Sequence, residues 1–235
     1  MRVGIMQPYI FPYIGYWQLI HAVDQFVILD DVNYIRRGYI NRNSILLSGK
    51  PYRFTIPVKK ASQNKLIKDM ELDFDREKKD KFLMTIHGAY SKAKNYAKVF
   101  PFIEEIINNK EEDLTRFTEF SIRRIMKYLD ISTELLLSSQ VPKQEGIKGE
   151  TRIIEICKRL HADTYINPCG GRKLYNQESF QLEGINLFFL DTASEKIVYD
   201  QNQNIFVENL SIIDILMFNN KDKVREFLKA IALNQ

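Results

Sequence analysis

The sequence predicts an α/β fold, a parallel-rich sheet carrying a helical insertion and C-terminal helices. Three observations predict it. Apolar runs at residues 3–6 and 26–29 flank residues 14–23, whose apolar positions recur at helical spacing, so a strand, a helix and a second strand form a parallel pair. Residues 76–129 carry helical periodicity and no strand signal. Strand and helix patterns then alternate again before two closing helices.

In chain order, Val3, Gly4, Ile5 and Met6 make the first strand, and Pro8 and Pro12 stiffen the turn after it by fixing φ. Gly15 allows close approach where the first helix begins. Residues 52–58, YRFTIPV, alternate well enough for a third strand, which Pro57 places at an edge or ends. Within the insertion, Phe102, Ile103, Ile106 and Ile107 make one stripe, and Leu114, Phe117, Ile125, Tyr128 and Leu129 another. Residues 134–138 return to the sheet, followed by the loop 139–149 and a helix with Ile153, Ile154, Ile156, Cys157 and Leu160 facing inward. Residues 164–167 and 187–190 are further strands, separated by the Gly-rich turn CGGRKLYNQESF. Ser211 with Asp214 reads as an acidic variant of the capping box, opening the run 212–218, and Val224, Phe227, Leu228 and Ile231 define the last amphipathic helix. The whole reads as one domain over residues 1–235, with the mainly helical insertion at about 76–130.

Apolar residues make up 45% of the chain and aromatics 12%, ample for a core. Net charge is only +4, and the 34 basic residues fall largely on solvated helical faces, which argues against nucleic acid as a partner. Cys157 and Cys169 have neither metal-ligand spacing nor a disulfide framework and are expected to be reduced. No window approaches the roughly 18 apolar residues of a membrane span, and the chain opens directly on a strand, so the expectation is a cytoplasmic protein. His21, His87 and His161 assemble into no recognisable catalytic set.

Ligands of open parallel sheets bind beyond the carboxyl ends of the strands, here residues 7–16 and 30–43. Gln7, Tyr13 and Tyr16 would line such a pocket. Asp30 or Asp31 would hold a sugar hydroxyl, an amine or Mg²⁺. The guanidinium forks of Arg36, Arg37 and Arg42 suit phosphate or carboxylate, and Asn41 and Asn43 offer both donor and acceptor. A third candidate is the turn containing Gly170 and Gly171 before Tyr175, where paired glycines permit positive φ and expose N–H groups to an anion. Gly146 and Gly149 make a second possible anion turn without the full phosphate-loop pattern. The assigned set is Asp30, Asp31 and Tyr13 for catalysis, with Gln7, Tyr16, Arg36, Arg37, Asn41, Arg42, Asn43, Gly170, Gly171 and Tyr175 for substrate; no metal-ligating set is assigned. The competing structural readings are a packed aromatic turn, a surface loop whose arginines pair with Asp30 and Asp31, and a plain glycine turn.

On four ordered blocks, QPYIFPYIGYWQLI, FVILDDVNYIRRGYINRN, CKRLHADTYINPCGGRKLY and YDQNQNIFVENLSIIDILMFN, the chain resembles the WbqC-like protein family over nearly its whole length. That resemblance implies a part in making bacterial O-antigen or a related surface polysaccharide, by handling an activated or amino sugar. More distantly, the opening strand, the PYIGY turn, the helix and the next strand look like the nucleotidyltransferase-like, Rossmann-like fold, in which a His-x-Gly-His motif holds ATP phosphates. Tyr13 and Tyr16 occupy the matching spacing around Gly15, and a phenol cannot become an imidazolium, so the architecture is expected without that chemistry. The resulting expectation is a cytoplasmic transferase that binds an anionic, nucleotide-linked sugar and transfers an acyl or aminoacyl group to an amino sugar. ATP or another nucleotide with Mg²⁺ is the candidate cofactor. The alternative is a non-catalytic sugar-binding or assembly protein of the same pathway, which the lack of an evident nucleophile–base pair supports.

Overall fold

The computed structural model describes residues 1–203 and 205–235. From the N-terminus, β1 (Arg2–Met6) leads through a turn into α1 (Ile14–Ala22) and β2 (Gln25–Ile28), which pairs in parallel with β1 and sets Ile5 opposite Val27. The chain leaves the sheet for the hairpin β3 (Arg42–Leu47) and β4 (Lys50–Thr55), then for α2 (Arg76–Tyr90), α3 (Tyr96–Ile107) and α4 (Leu114–Leu129). It returns in β5 (Glu134–Leu137), parallel to β2, and crosses through α5 (Gly149–Arg159) to β6 (Thr164–Pro168) on the far side of β1. There follow α6 (Gln177–Leu182), β7 (Asn186–Thr192), α7 (Ile212–Phe218), α8 (Lys221–Leu228) and β8 (Ile231–Asn234).

The sheet order is β5-β2-β1-β6-β7-β8, with the first five strands parallel and β8 antiparallel. Counting only strands of this sheet, the order is 3-2-1-4-5-6, that of the Rossmann fold, and the direction of winding reverses between β1 and β6. The protein is therefore a Rossmann-like α/β protein. Alternate residues serve two cores, as the period of a strand requires. Phe26 and Ile28 pack with α1, the middle helices and α7–α8, while Val27, Val3 and Ile5 pack with α5 and α6. Helix α1 is buried nearly all round, and its one buried amide is satisfied: Gln18 Nε2 donates to Phe227 O at 2.7 Å and Gln18 Oε1 accepts from Thr192 Oγ1 at 2.7 Å. Among the described residues no helix is long and apolar enough to cross a membrane.

Four local readings are corrected. Arg42 and Asn43, expected as part of a polar ligand cluster, begin β3, and Asn43 turns inward and donates to Phe11 O at 2.7 Å. The strand expected at 52–58 is the partner of β3 in a separate hairpin and stops at Thr55, ahead of Pro57. The Gly-rich turn contains a 3₁₀ turn, Cys169–Leu174, and then α6, whose start Asn176 caps by accepting from Glu178 N. The last helix ends at Leu228 and not at Ile231, since Gln18 takes the carbonyls of Phe227 and Ala230 and Ile231 pairs with Thr192. Ser211 does cap α7, accepting from Ile213 N at 3.3 Å, but Asp214 points into the core and takes no part in the cap.

Candidate functional site

A cleft of about 480 Å³ opens at the carboxyl edge of the sheet, within the size range of small-molecule sites. The loops after β1 and β2 give it Gln7, Leu29, Asp31, Val32 and Asn33; the start of α5 gives Lys148, Gly149, Glu150, Arg152 and Ile153; and the turn after β6 gives Leu174 and Tyr175, with Leu66 closing one side. It lies where the strand order reverses, because a crossover in each direction leaves the loops after β1 and β6 apart at that point.

Its floor is an ion cluster. Asp31 Oδ2 lies 2.8 Å from Lys143 Nζ, and Asp31 Oδ1 accepts from Ser138 Oγ at 2.7 Å and lies 3.6 Å from Arg152 Nη1. These side chains are only 12%, 10% and 15% exposed for Asp31, Lys143 and Arg152. Arg152 also donates through Nη1 to Asp31 O at 2.7 Å and through Nε to Ile147 O at 2.9 Å, and its Nη2 has no protein partner among the described residues. Burial pushes the Asp31 carboxyl up, but hydrogen bonds from Lys143 and Ser138 and the charges of Lys143 and Arg152 outweigh it and hold the group below the usual carboxylate range.

Asp30 sits beneath this cluster and is buried. Its Oδ1 accepts from Ser139 N at 2.9 Å and its Oδ2 from Ser139 Oγ at 2.6 Å. Burial raises its carboxyl despite those two bonds, and the charge of Asp31 adds to the rise. Together the two aspartates fasten the loop after β5 to the loop after β2. Both carboxylates are committed to protein donors, an arrangement poorly set to receive Mg²⁺.

Of the residues singled out from the sequence, the cleft gathers Gln7, Asp31 and Tyr175. The expected convergence of the arginines on it is not observed. Arg36 and Arg37 are exposed on the loop beyond, and Arg42 Nε holds Gly38 O at 2.7 Å. Nor do they pair with Asp30 or Asp31, whose partners are Ser138, Ser139, Lys143 and Arg152. Asn41 and Asn43 are buried anchors: Asn41 accepts from Tyr34 Oη at 2.8 Å and donates to Ile56 O at 2.7 Å, and Asn43 grips the loop after β1. Tyr16 is fully buried, with its hydroxyl donated to Gln7 O at 3.0 Å, which fixes the backbone where Gln7 enters the cleft. Tyr13 lies in a separate group with Tyr9, Tyr39 and Cys169. Since Arg37 adopts φ 65° and contacts no acid, Arg37→Gly relieves left-handed strain and should change stability by no more than about 1 kcal/mol, in the stabilising direction, in urea unfolding.

Gly170 and Gly171 begin the turn that ends at the cleft residues Leu174 and Tyr175 but do not themselves line the cleft, and neither has positive φ. Gly171 is there for close packing. A Cβ on it would sit 1.9 Å from Asn167 Nδ2, in a buried amide whose Oδ1 accepts from Tyr165 Oη at 3.0 Å. Gly171→Ala should therefore destabilise by about 1–3 kcal/mol, whereas Gly170→Ala, facing open space, should leave the melt within about 0.5 kcal/mol of the parent. Positive φ occurs instead at Gly146 (80°) and Gly149 (56°), the turn that delivers α5 to the cleft. Lys148, from the loop after β5, and Arg152, from the first turn of α5, are cleft residues missed from sequence, as is Lys143 of the same loop, which pairs with Asp31 beneath them.

Both cysteines are free. Cys157 is buried and burial pushes its thiol up to about 12; Cys169 is exposed, its thiol raised by a hydrogen bond to Asp191, then by partial burial. Neither is an activated nucleophile.

The sheet, with a cationic and apolar cleft at its switch point, defines a Rossmann-like α/β protein with a candidate site at the carboxyl edge. The profile of the WbqC-like protein family matches residues 7–226, and the chain belongs to that family. It is also similar to the uncharacterized protein Rv1507c of Mycobacterium tuberculosis, 27% identical over 230 residues that cover 97% of each chain. No solved structure matches significantly.

Proposed function

We propose that the protein is a sugar-modifying transferase of surface-polysaccharide (O-antigen) biosynthesis, acting in the cytoplasm on an anionic, nucleotide-linked amino sugar, with transfer of an acyl or aminoacyl group to the amine as its specific reaction. The observation that carries this reading is the cleft at the switch point, where the unpartnered Nη2 of Arg152, Lys148 and the first turn of α5 stand beside the apolar walls Leu29, Val32 and Ile153. A diphosphate is received by the free Nη2 of the guanidinium and the free N–H groups of a helix start, and a base is covered by aliphatic walls. Lys143, Lys148 and Arg152 against Asp31 and Glu150 leave one net positive charge for the anion. Gln7 and Tyr175 supply hydrogen bonds to the sugar or base. In this arrangement Asp31 positions Arg152 and Lys143 and does not itself attack.

One observation favours a non-catalytic sugar-binding protein instead. The cleft's two carboxylates are engaged, Asp31 by Lys143 and Glu150 by Asn176 N, so its lining offers no free nucleophile–base pair. Incubation with UDP-, dTDP- and GDP-linked hexosamines and candidate acyl donors, followed by mass spectrometry and calorimetry, separates the two. Turnover supports the transferase, binding without turnover the binding protein, and absence of binding removes both.

A further inference from the structure

Several tyrosines have tied hydroxyls: Tyr16 donates to Gln7 O, Tyr34 to Asn41, and Tyr90 and Tyr199 to Asp214. In the loops after β1 and β2, the hydroxyls of Tyr9, Tyr13 and Tyr39 have no protein partner among the described residues, Tyr9 and Tyr13 share one turn, and the rings of Tyr9 and Tyr39 are neighbours. The Tyr9 ring stacks on the buried ring of Tyr16 at 5.6 Å and meets the ring of Tyr39 at 5.9 Å. Tyr39 is 53% exposed, yet it is presented by a closed turn in which Gly38 N donates to Ile35 O and Arg42 Nε to Gly38 O. The Tyr13 ring packs against Gly15, where a Cβ would come within 2.6 Å of it. The chain thus holds three part-exposed or exposed rings in place and leaves their hydroxyls without a protein partner. Burial keeps the phenols of Tyr9 and Tyr13 neutral, as donors, through the physiological range.

This group adjoins the cleft. Tyr16, beneath Tyr9, anchors the carbonyl of Gln7, a cleft residue, and Cys169, beside Tyr13, begins the turn that ends at Leu174 and Tyr175. A rigid aromatic surface with free hydroxyl groups matches a pyranose ring, whose axial C–H face packs on aromatic carbon and whose hydroxyls need donors and acceptors at the rim. We propose that Tyr9, Tyr13 and Tyr39 form a second subsite that holds a hexose or hexosamine ring, separate from the anion position at Arg152. It rests on the proposed function for its place in the reaction, but the surface itself is read from the three tyrosines.

The test is NMR of protein carrying ¹³Cε-tyrosine, titrated separately with free N-acetylglucosamine, glucosamine, galactosamine and glucose, and with UDP. The expected result is that at least one of the free sugars shifts the signals of Tyr9, Tyr13 and Tyr39, that Tyr39→Ala weakens its affinity about fivefold or more, and that Tyr39→Phe, which keeps the ring, loses less. UDP should leave those three signals in place whether or not it binds elsewhere. If none of the sugars moves them, or if UDP moves them in place of a sugar, the subsite is overturned. The UDP arm read at Tyr175 tests the anion position independently, so the two readings fail separately.

Discussion

Asp214→Ala is expected to destabilise the protein by about 3–5 kcal/mol, a shift of roughly 10 °C in a thermal melt for a chain of this size. Asp214 lies on α7, fully buried, and its carboxylate accepts from Tyr90 Oη at 2.7 Å, Tyr199 Oη at 2.6 Å and Gln201 Nε2 at 2.9 Å. Tyr90 Oη in turn accepts from Leu46 N at 3.0 Å, so one side chain joins the hairpin, α2, α7 and the residues Tyr199 and Gln201. Truncation leaves three buried donors without an acceptor and a void as well. Asp214→Asn retains an acceptor and should lose less, about 1–2 kcal/mol. Burial raises the Asp214 carboxyl, with the bonds from Tyr199, Tyr90 and Gln201 opposing it. A carboxyl whose folded pKa lies above its unfolded value binds its proton more tightly when folded, so its contribution improves as pH falls from the folded value towards about 3.9. Urea unfolding at stepped pH should show the parent gaining on Asp214→Asn across that window. Asp31, depressed in the fold, has the opposite sign: its contribution is complete above about 3.9 and is lost as pH falls through its folded value.

The second large effect is on ligand binding. Arg152→Ala should weaken a nucleotide sugar by about 2–3 kcal/mol, some 30- to 150-fold, the scale of charge-assisted hydrogen bonds lost to a phosphate. It should also lower stability by about 1–2 kcal/mol, because Asp31 O and Ile147 O lose their donor. Arg152→Lys keeps the charge but not the fork and should recover only part of the affinity. Calorimetry beside a melt separates the two losses. Affinity unchanged in Arg152→Ala would place the anion elsewhere.

Much of the fold was legible because the parallel strands are buried on both faces and read as plain apolar runs, as at Val3 to Met6 and in β2. The hairpin was half hidden. Asn41, Arg42 and Asn43 look like a ligand cluster, yet Asn43 is an inward anchor for a loop backbone, a role that no residue type announces. The turn itself was available, since Ser48 and Gly49, both at positive φ, are a two-residue hairpin signal between Leu47 and Lys50. β8 was hidden because Val224, Phe227 and Leu228 keep helical spacing into Ile231, and the helix ends through distant partners, Gln18 and the β7 residue Thr192. At the site, the carboxyl-edge rule led to Gln7, Asp31 and Tyr175, which the structure gathers at one cleft. The same rule applied to the loop after residues 134–138 would have pointed to Lys143, Lys148 and Arg152. That Asp31 chooses Lys143 and Arg152 over the nearer Arg36 and Arg37 is tertiary information, because the partners lie more than a hundred residues away.

The central claim is that the switch-point cleft takes a nucleotide-linked sugar by its anionic part. Its most direct measurement is a crystal structure of the protein soaked with UDP-, dTDP- and GDP-linked hexosamines. The expected result is a diphosphate within hydrogen-bond distance of Arg152 and the first turn of α5, with the rest of the ligand along Gln7 and Tyr175. A diphosphate bound instead at the exposed Arg36–Arg37 loop, or a cleft left empty at millimolar concentrations of all three, would contradict it.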